Sequence, residues 1–203
     1  MKRLAMLYGG SLPEYRTINE PKYRRWFSEV IYLLDLPDTD LGELDGLLVP
    51  EGTHHVKMEA ASGQIRGFLE GGGAVILFGD QPTSWLPGLD WEFRPAGESG
   101  ELVAHHRDHG FYRHLTVEDA TWHHHGVFHP PSGAETLLAT RDGRAVLYID
   151  RVSTPGTLLV ASLDPLAHFG GTFMPAAERF LDRFLPWVVE DLLVEADGGA
   201  EQR

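Results

Sequence analysis

The chain has no cysteine among its 203 residues. That absence excludes disulfides, thiolate metal sites and a thiol nucleophile, and it fits a reducing compartment. Long apolar runs are missing too: no stretch approaches the ~18 consecutive apolar residues of a membrane span. The apolar start Leu4-Ala5-Met6-Leu7-Tyr8 breaks at Gly9-Gly10, too early for the core of a secretion signal. A cytoplasmic protein is the expectation. Positive charge is scarce: 17 Lys and Arg face 30 Asp and Glu, a net charge of −13. Nucleic acids and anionic membranes are held by clustered Lys and Arg, so neither is expected as a partner. An acidic surface serves solubility instead. Several catalytic signatures are also absent: no G-x-S-x-G elbow, no G-x-G-x-x-G, no P-loop and no H-E-x-x-H.

What is present describes one ordinary domain. A chain of this length buries a full core without a disulfide or structural metal. Residues 3–8 read as a buried strand ended by Gly9-Gly10-Ser11. Tyr23, Trp26, Phe27, Val30, Ile31 and Leu34 fall at helical spacing after Pro21, which predicts a helix there. Residues 44–50 predict a second strand. Ala61, Ile65, Phe68 and Leu69 mark a helix that stops at Gly71-Gly72-Gly73. The unbroken run Ala74-Val75-Ile76-Leu77-Phe78 is the pattern of a strand buried on both faces. The first 80 residues thus read β-α-β-α-β, which implies a parallel sheet with helices on both faces.

Residues 81–113 show no sustained period and predict loops and short strands. Residues 135–140, 145–150 and 157–163 predict consecutive strands, the first two turned at Asp142-Gly143. A long amphipathic helix is expected from Ala177 to Leu192, kinked or split at Pro186. The expected architecture is a flavodoxin-like three-layer α/β sandwich, mainly parallel, with a late antiparallel hairpin. One domain is expected over residues 1–194, followed by a charged, Gly-rich tail over 195–203 that frays.

Two segments resemble a known family. Leu44-Asp45-Gly46-Leu47-Leu48-Val49-Pro50-Glu51-Gly52 resembles the "D-G-hydrophobic-P-G-G" strand and turn of class I glutamine amidotransferases. Phe68-Leu69-Glu70-Gly71-Gly72-Gly73-Ala74-Val75-Ile76-Leu77-Phe78-Gly79-Asp80 resembles the helix, turn and strand that follow, and is closest to the trehalose-utilisation (ThuA-like) branch. The resemblance implies backbone N–H groups offered to an oxyanion at the turn, where Glu51 replaces the first Gly and Gly52 remains. It places the family's nucleophilic cysteine at Gly79 or Asp80, so cysteine-dependent glutaminase chemistry is not expected. It places the family histidine at His168, although Phe169 and Gly170 stand where the usual His-x-Glu would continue.

Candidate residues follow. Asp80, after a buried strand, sits where open α/β sheets bind ligands; it either lines a pocket or caps a loop. His54 and His55 follow the Glu51-Gly52-Thr53 turn, and either face the same edge or open the next helix toward solvent. Glu51, Gly52, His54, Asp80 and His168 form the expected ligand pocket, able to hold a polar ligand or to work as an acid–base set with water. Ser11 ends the first strand in a Gly-Gly-Ser turn that offers N–H groups to an anion or is simply a tight exit. Eleven histidines include two close groups, 105–109 and 123–125. His105 and His109 would share a face on a helix, and His123 and His125 on a strand. Together they offer a divalent-metal site, with Asp108 or Glu101 as a further ligand, or they are ordinary strand and loop residues.

Three functions compete. The first is a non-catalytic, cysteine-less amidotransferase-like domain, with no cofactor expected, that binds a small polar ligand or a protein partner. The second is a metal-assisted hydrolase of a small sugar-like or amide substrate. The third is a structural subunit whose helix at 175–194 and tryptophans form a homo-oligomer interface.

Overall fold

A computed structural model describes residues 2–95, 101–122 and 124–200. Strand β1 (Leu4–Tyr8) leads into helix α1 (Leu12–Asn19) and the single turn α2 (Pro21–Arg24). Strand β2 (Glu29–Tyr32) comes next, then β3 (Gly46–Val49), α3 (His55–Glu70) and β4 (Ala74–Phe78). The middle holds β5 (Trp91–Phe93), β6 (Leu102–Ala104), α4 (Phe111–His114) and β7 (Gly126–Phe128). It continues with β8 (Glu135–Thr140), β9 (Ala145–Asp150) and β10 (Thr157–Ala161). The chain ends in α5 (Pro165–Thr172), α6 (Pro175–Trp187) and α7 (Leu193–Ala200).

The sheet runs β2-β1-β3-β4-β10-β9-β7-β5, with β6 beside β8 and β8 beside β9. From β2 to β10 every pairing is parallel; β9 and the strands beyond it are antiparallel. Parallel strands alternate their side chains between two cores. Leu4, Met6, Leu48, Ile76, Phe78 and Leu159 face α5 and α6. Ala5, Leu7, Leu47, Val75, Leu77 and Val160 face α3. This is the expected mainly parallel sandwich with an antiparallel side.

One element differs from the sequence pattern. Residues 23–34 do not form a helix: α2 stops after one turn, and Glu29–Tyr32 pair with β1 as an edge strand. The helix lies earlier, where Ser11 caps α1 by accepting the Glu14 N–H at 3.2 Å. Ser-x-x-Glu is a capping box, and Pro13 suits the first helical turn. Val30 and Ile31 are β-branched, and Ile31 is buried while Tyr32 is exposed. That alternation satisfies a strand as well as the apolar spacing satisfied a helix.

Pro186 lies within α6, and the chain widens directly afterwards into a π turn over Val188–Leu192. Proline cannot donate to the carbonyl four residues back, and a wider turn absorbs the missing bond. The apolar stripe of this segment is spent inside the chain's own core: Phe180, Leu181, Phe184, Trp187 and Val188 are all buried. Helix α7 continues through Ala200, past the domain end expected at 194, and Glu195 lies 3.5 Å from Arg151.

Candidate functional site

The parallel strands share one register, so their carboxyl ends reach the same edge: Val49 pairs with Leu77 and Phe78 with Ala161. Open α/β sheets bind ligands at this edge. Here the loops after β1, β3, β4 and β10 enclose a cavity of about 660 Å³. The loop after β1 brings Ser11, Pro13 and Glu14; that after β3 brings Glu51, Gly52, Thr53, His54 and His55. Gly79, Asp80 and Pro82 follow β4, and Ser162, Asp164 and Ala167 follow β10. His125, just ahead of β7, completes the wall.

Four of the five expected pocket residues therefore meet: Glu51, Gly52, His54 and Asp80. The fifth, His168, stands behind the wall on α5, its Nε2 3.2 Å from Asp164 Oδ2. Asp164 is a hub. Its other oxygen accepts from Trp122 Nε1 at 3.2 Å, and His125 Nε2 approaches Oδ2 at 3.8 Å. His54 is the residue that opens α3, and its ring stacks on that of His55.

The elbow after β4 is the sharpest feature. Gly79 has φ +81°, and its N–H donates to Ala161 O at 2.8 Å. A Cβ built there would lie 2.5 Å from Glu51 Cβ and 2.8 Å from Glu51 Cα. The position refuses a side chain twice over, by backbone conformation and by lack of space. Glu51 occupies the volume in question. It is buried, its Oε1 accepts the Ala167 N–H in the first turn of α5, and its Oε2 has no hydrogen-bond partner among the described residues.

Burial pushes the Glu51 carboxyl up to about 8, against the relief given by the Ala167 N–H and with a further push from Asp164 and Glu14. It is therefore chiefly protonated at neutral pH. Glu14 is also held above its ordinary value by burial, although the Gly9 N–H donates to it at 2.8 Å. Asp80 stands at the rim, where the flanking wall withdraws enough water to raise it; His125 opposes that rise and Asp164 adds to it. Among the described residues no Lys or Arg lines the cavity. Perturbed carboxyls gathered in a cleft are a mark of functional sites.

The sequence pattern missed Glu14, Ser162 and Asp164. Two signals could have found them. The capping box Ser11-x-x-Glu14 places Glu14 on the first turn at the carboxyl edge. Ser162 and Asp164 follow buried β10 just as Asp80 follows β4, so the rule that singled out Asp80 applies equally to them.

The metal candidates are dispersed. Residues 105–110 run through bends and turns, not a helix. The His105 N–H donates to Leu137 O on β8. His109 packs edge-on against Trp187, 4.0 Å from Glu135, and burial lowers its pKa. His125 belongs to the cavity wall, and His123 lies outside the described residues. Among the described residues no group of three or more His, Asp or Glu is arranged to hold a metal ion. Other histidines are hydrogen-bonded to carboxylates: His114 to Asp191 at 3.0 Å and His129 to Glu92 at 2.9 Å. Among the described residues no helix is long and apolar enough to cross a membrane.

No family model matches the chain, and no curated protein matches it. Solved structures do. A glutamine amidotransferase from Thermotoga maritima superposes with a TM-score of 0.57 at 13% identity, over 98% of this chain and 94% of its own. An exo-β-1,4-mannosidase, Op5Man5, from Opitutaceae bacterium strain TAV5 superposes with a TM-score of 0.52 at 12% identity. That match covers 92% of this chain, which spans only 35% of the mannosidase. At such identities the likeness is one of fold: this is an amidotransferase-like α/β fold.

Proposed function

We propose that the chain is a non-catalytic, cysteine-less domain of the amidotransferase kind, on the trehalose-utilisation side of that group, that binds a small polar ligand in the cavity at the carboxyl edge of its sheet. The observation that carries this reading is the elbow. The turn after β4 is where the resemblance puts the nucleophile, and Gly79 there has no side chain and no room for one while Glu51 is present. A thioester mechanism has no starting atom. The cavity itself persists as a half-open cleft of small-ligand size, with polar groups from four strand ends. A concave cleft of this size suits a small molecule better than a protein partner, which would need a broader face.

The test is a panel of small sugars, polyols and amines, screened by thermal shift and confirmed by calorimetry on wild-type protein and on Pro82→Trp. Pro82 is exposed at the mouth, so the indole obstructs entry without disturbing the core. At least one compound is expected to bind saturably and to lose about tenfold or more in affinity in the variant, about 1.4 kcal/mol, with the unfolding midpoint unchanged. A covalent glutamine analogue is expected to leave no adduct in the mass spectrum. Binding indifferent to Pro82→Trp, or a stoichiometric adduct, sinks the reading.

A further inference from the structure

We infer that the ligand bears a positive charge: the cavity is built for a small hydroxylated amine, not for an anion or a neutral sugar. This rests on the ligand-binding reading above and narrows it.

Three independent features point the same way. The first is charge. Glu14, Glu51, Asp80 and Asp164 line the cavity, and among the described residues no Lys or Arg does. A carboxylate or phosphate ligand would enter against four carboxyls with no guanidinium or ammonium to hold it, only the imidazoles of His54, His55 and His125. The second is the occupied helix start. The N-terminal turn of α5 is the place at this edge where backbone N–H groups would welcome an anion. The Ala167 N–H there already donates to Glu51 Oε1, so the protein's own carboxyl fills that role. The third is unspent hydrogen-bonding capacity. Glu51 is 8% exposed and Ser162 1% exposed; both belong to the cavity wall, and Glu51 Oε2 and Ser162 Oγ have no hydrogen-bond partner among the described residues. Buried polar atoms are rarely left unsatisfied without a reason. An ammonium brings three donors and no acceptor, which matches the lone pair of the Ser162 hydroxyl and, once the Glu51 proton is released, Glu51 Oε2 as well.

The charged and titratable groups facing Glu51 are Glu14 on α1, His54 and His55 at the start of α3, Asp80 after β4, Asp164 after β10 and His125 before β7. Three of these are carboxyls, and crowding with Asp164 and Glu14 adds to the burial that keeps the Glu51 proton on. A cation placed among them favours the ionised form. Amine binding is therefore expected to expel a proton from the Glu51 carboxyl to the buffer.

Glucosamine, glucose and glucuronate offer one ring with an ammonium, a hydroxyl or a carboxylate; putrescine offers ammonium alone. Calorimetry on the full chain at pH 7 is expected to show glucosamine binding at least about tenfold tighter than glucose, with no heat from glucuronate. Repeating the glucosamine titration in buffers of different ionisation enthalpy is expected to show net proton release, lost in Glu51→Gln. Asp80→Asn is expected to shrink the preference for glucosamine over glucose toward unity. Glucose binding as well as glucosamine, or any preference for glucuronate, overturns the charge assignment and leaves the ligand-binding reading standing. Neutral compounds from the panel binding while glucosamine and putrescine do not overturns the charge assignment in the same way. Silence from every compound overturns both.

Discussion

Two residues set the chemistry of the carboxyl edge, and each makes a prediction of its own. Glu51 keeps its proton in the folded chain up to about pH 8, whereas in the unfolded chain it loses it near the ordinary 4.5. Between those values unfolding releases a proton. The contribution is fully present below pH 4.5 and is lost as pH rises through 8, at up to about 1.4 kcal/mol per pH unit and on the order of a few kcal/mol in all. Chemical denaturation of wild type from pH 5 to 8.5 should show this decline, and Glu51→Gln, which cannot ionise, should flatten it. Equal slopes would mean Glu51 is ionised in the native state. Gly79 predicts a coupling. Gly79→Ala forces a Cβ into the left-handed region and onto Glu51, for a loss of about 3 kcal/mol. In a Glu51→Gly background the 2.5 Å clash with the Glu51 Cβ disappears while the 2.8 Å approach to the Cα stays, so the double mutant should be less damaged than the sum of the singles by about 1 kcal/mol. Strict additivity would show that the two side chains do not compete for one volume.

At the scale of elements, α1 and α5 touch more closely than side chains would allow. A Cβ on Gly170 would fall 2.0 Å from the Pro13 carbonyl oxygen, and the Thr17 hydroxyl donates to Leu166 O across the same seam at 3.2 Å. Gly170→Ala should push α1 away, cost about 2 kcal/mol and weaken ligand binding through Glu14, which α1 carries into the cavity. An unchanged unfolding midpoint would sink this. Helix α6 is ordinary core by contrast: Phe184 stacks on Phe180 at 4.9 Å between centroids and is fully buried, so Phe184→Ala should cost about 3–5 kcal/mol. The elements differ in how plainly the sequence announces them. The buried run 74–78 and the Asp142-Gly143 turn each have one physical solution, and both were legible. Residues 23–34 have two, because apolar residues at 23, 26, 27, 30, 31 and 34 suit a helix stripe while Val30 and Ile31 suit a strand. What decided between them was the open edge of β1, a partner supplied by tertiary structure. The cavity was half legible for a similar reason. Asp80 and Glu51 sit on segments with marked turns, whereas Asp164 follows a strand that the sequence reads in a hairpin series, and its signal is ambiguous until β10 is paired in parallel with β4.

For the whole molecule the dominant fact is a net charge of −13. Like charges on a compact body repel, and salt relieves that repulsion. Raising ionic strength from about 0.01 M to about 1 M shortens the screening length from about 30 Å to about 3 Å. The thermal midpoint should rise by several degrees over that range, and a fall would mean the surface ion pairs outweigh the net repulsion. The same screening should weaken glucosamine binding, so the two salt dependences should run in opposite directions. The cavity wall also has a consequence for cooperativity. Its residues come from positions 11 to 167, so no fragment shorter than that span carries it, and it exists only when the parallel half of the sheet is assembled. A bound molecule should therefore not merely quieten its own loops. It should slow amide exchange as far away as the edge strand at 29–32 by the full binding free energy, acting as a clasp on the entire folding unit.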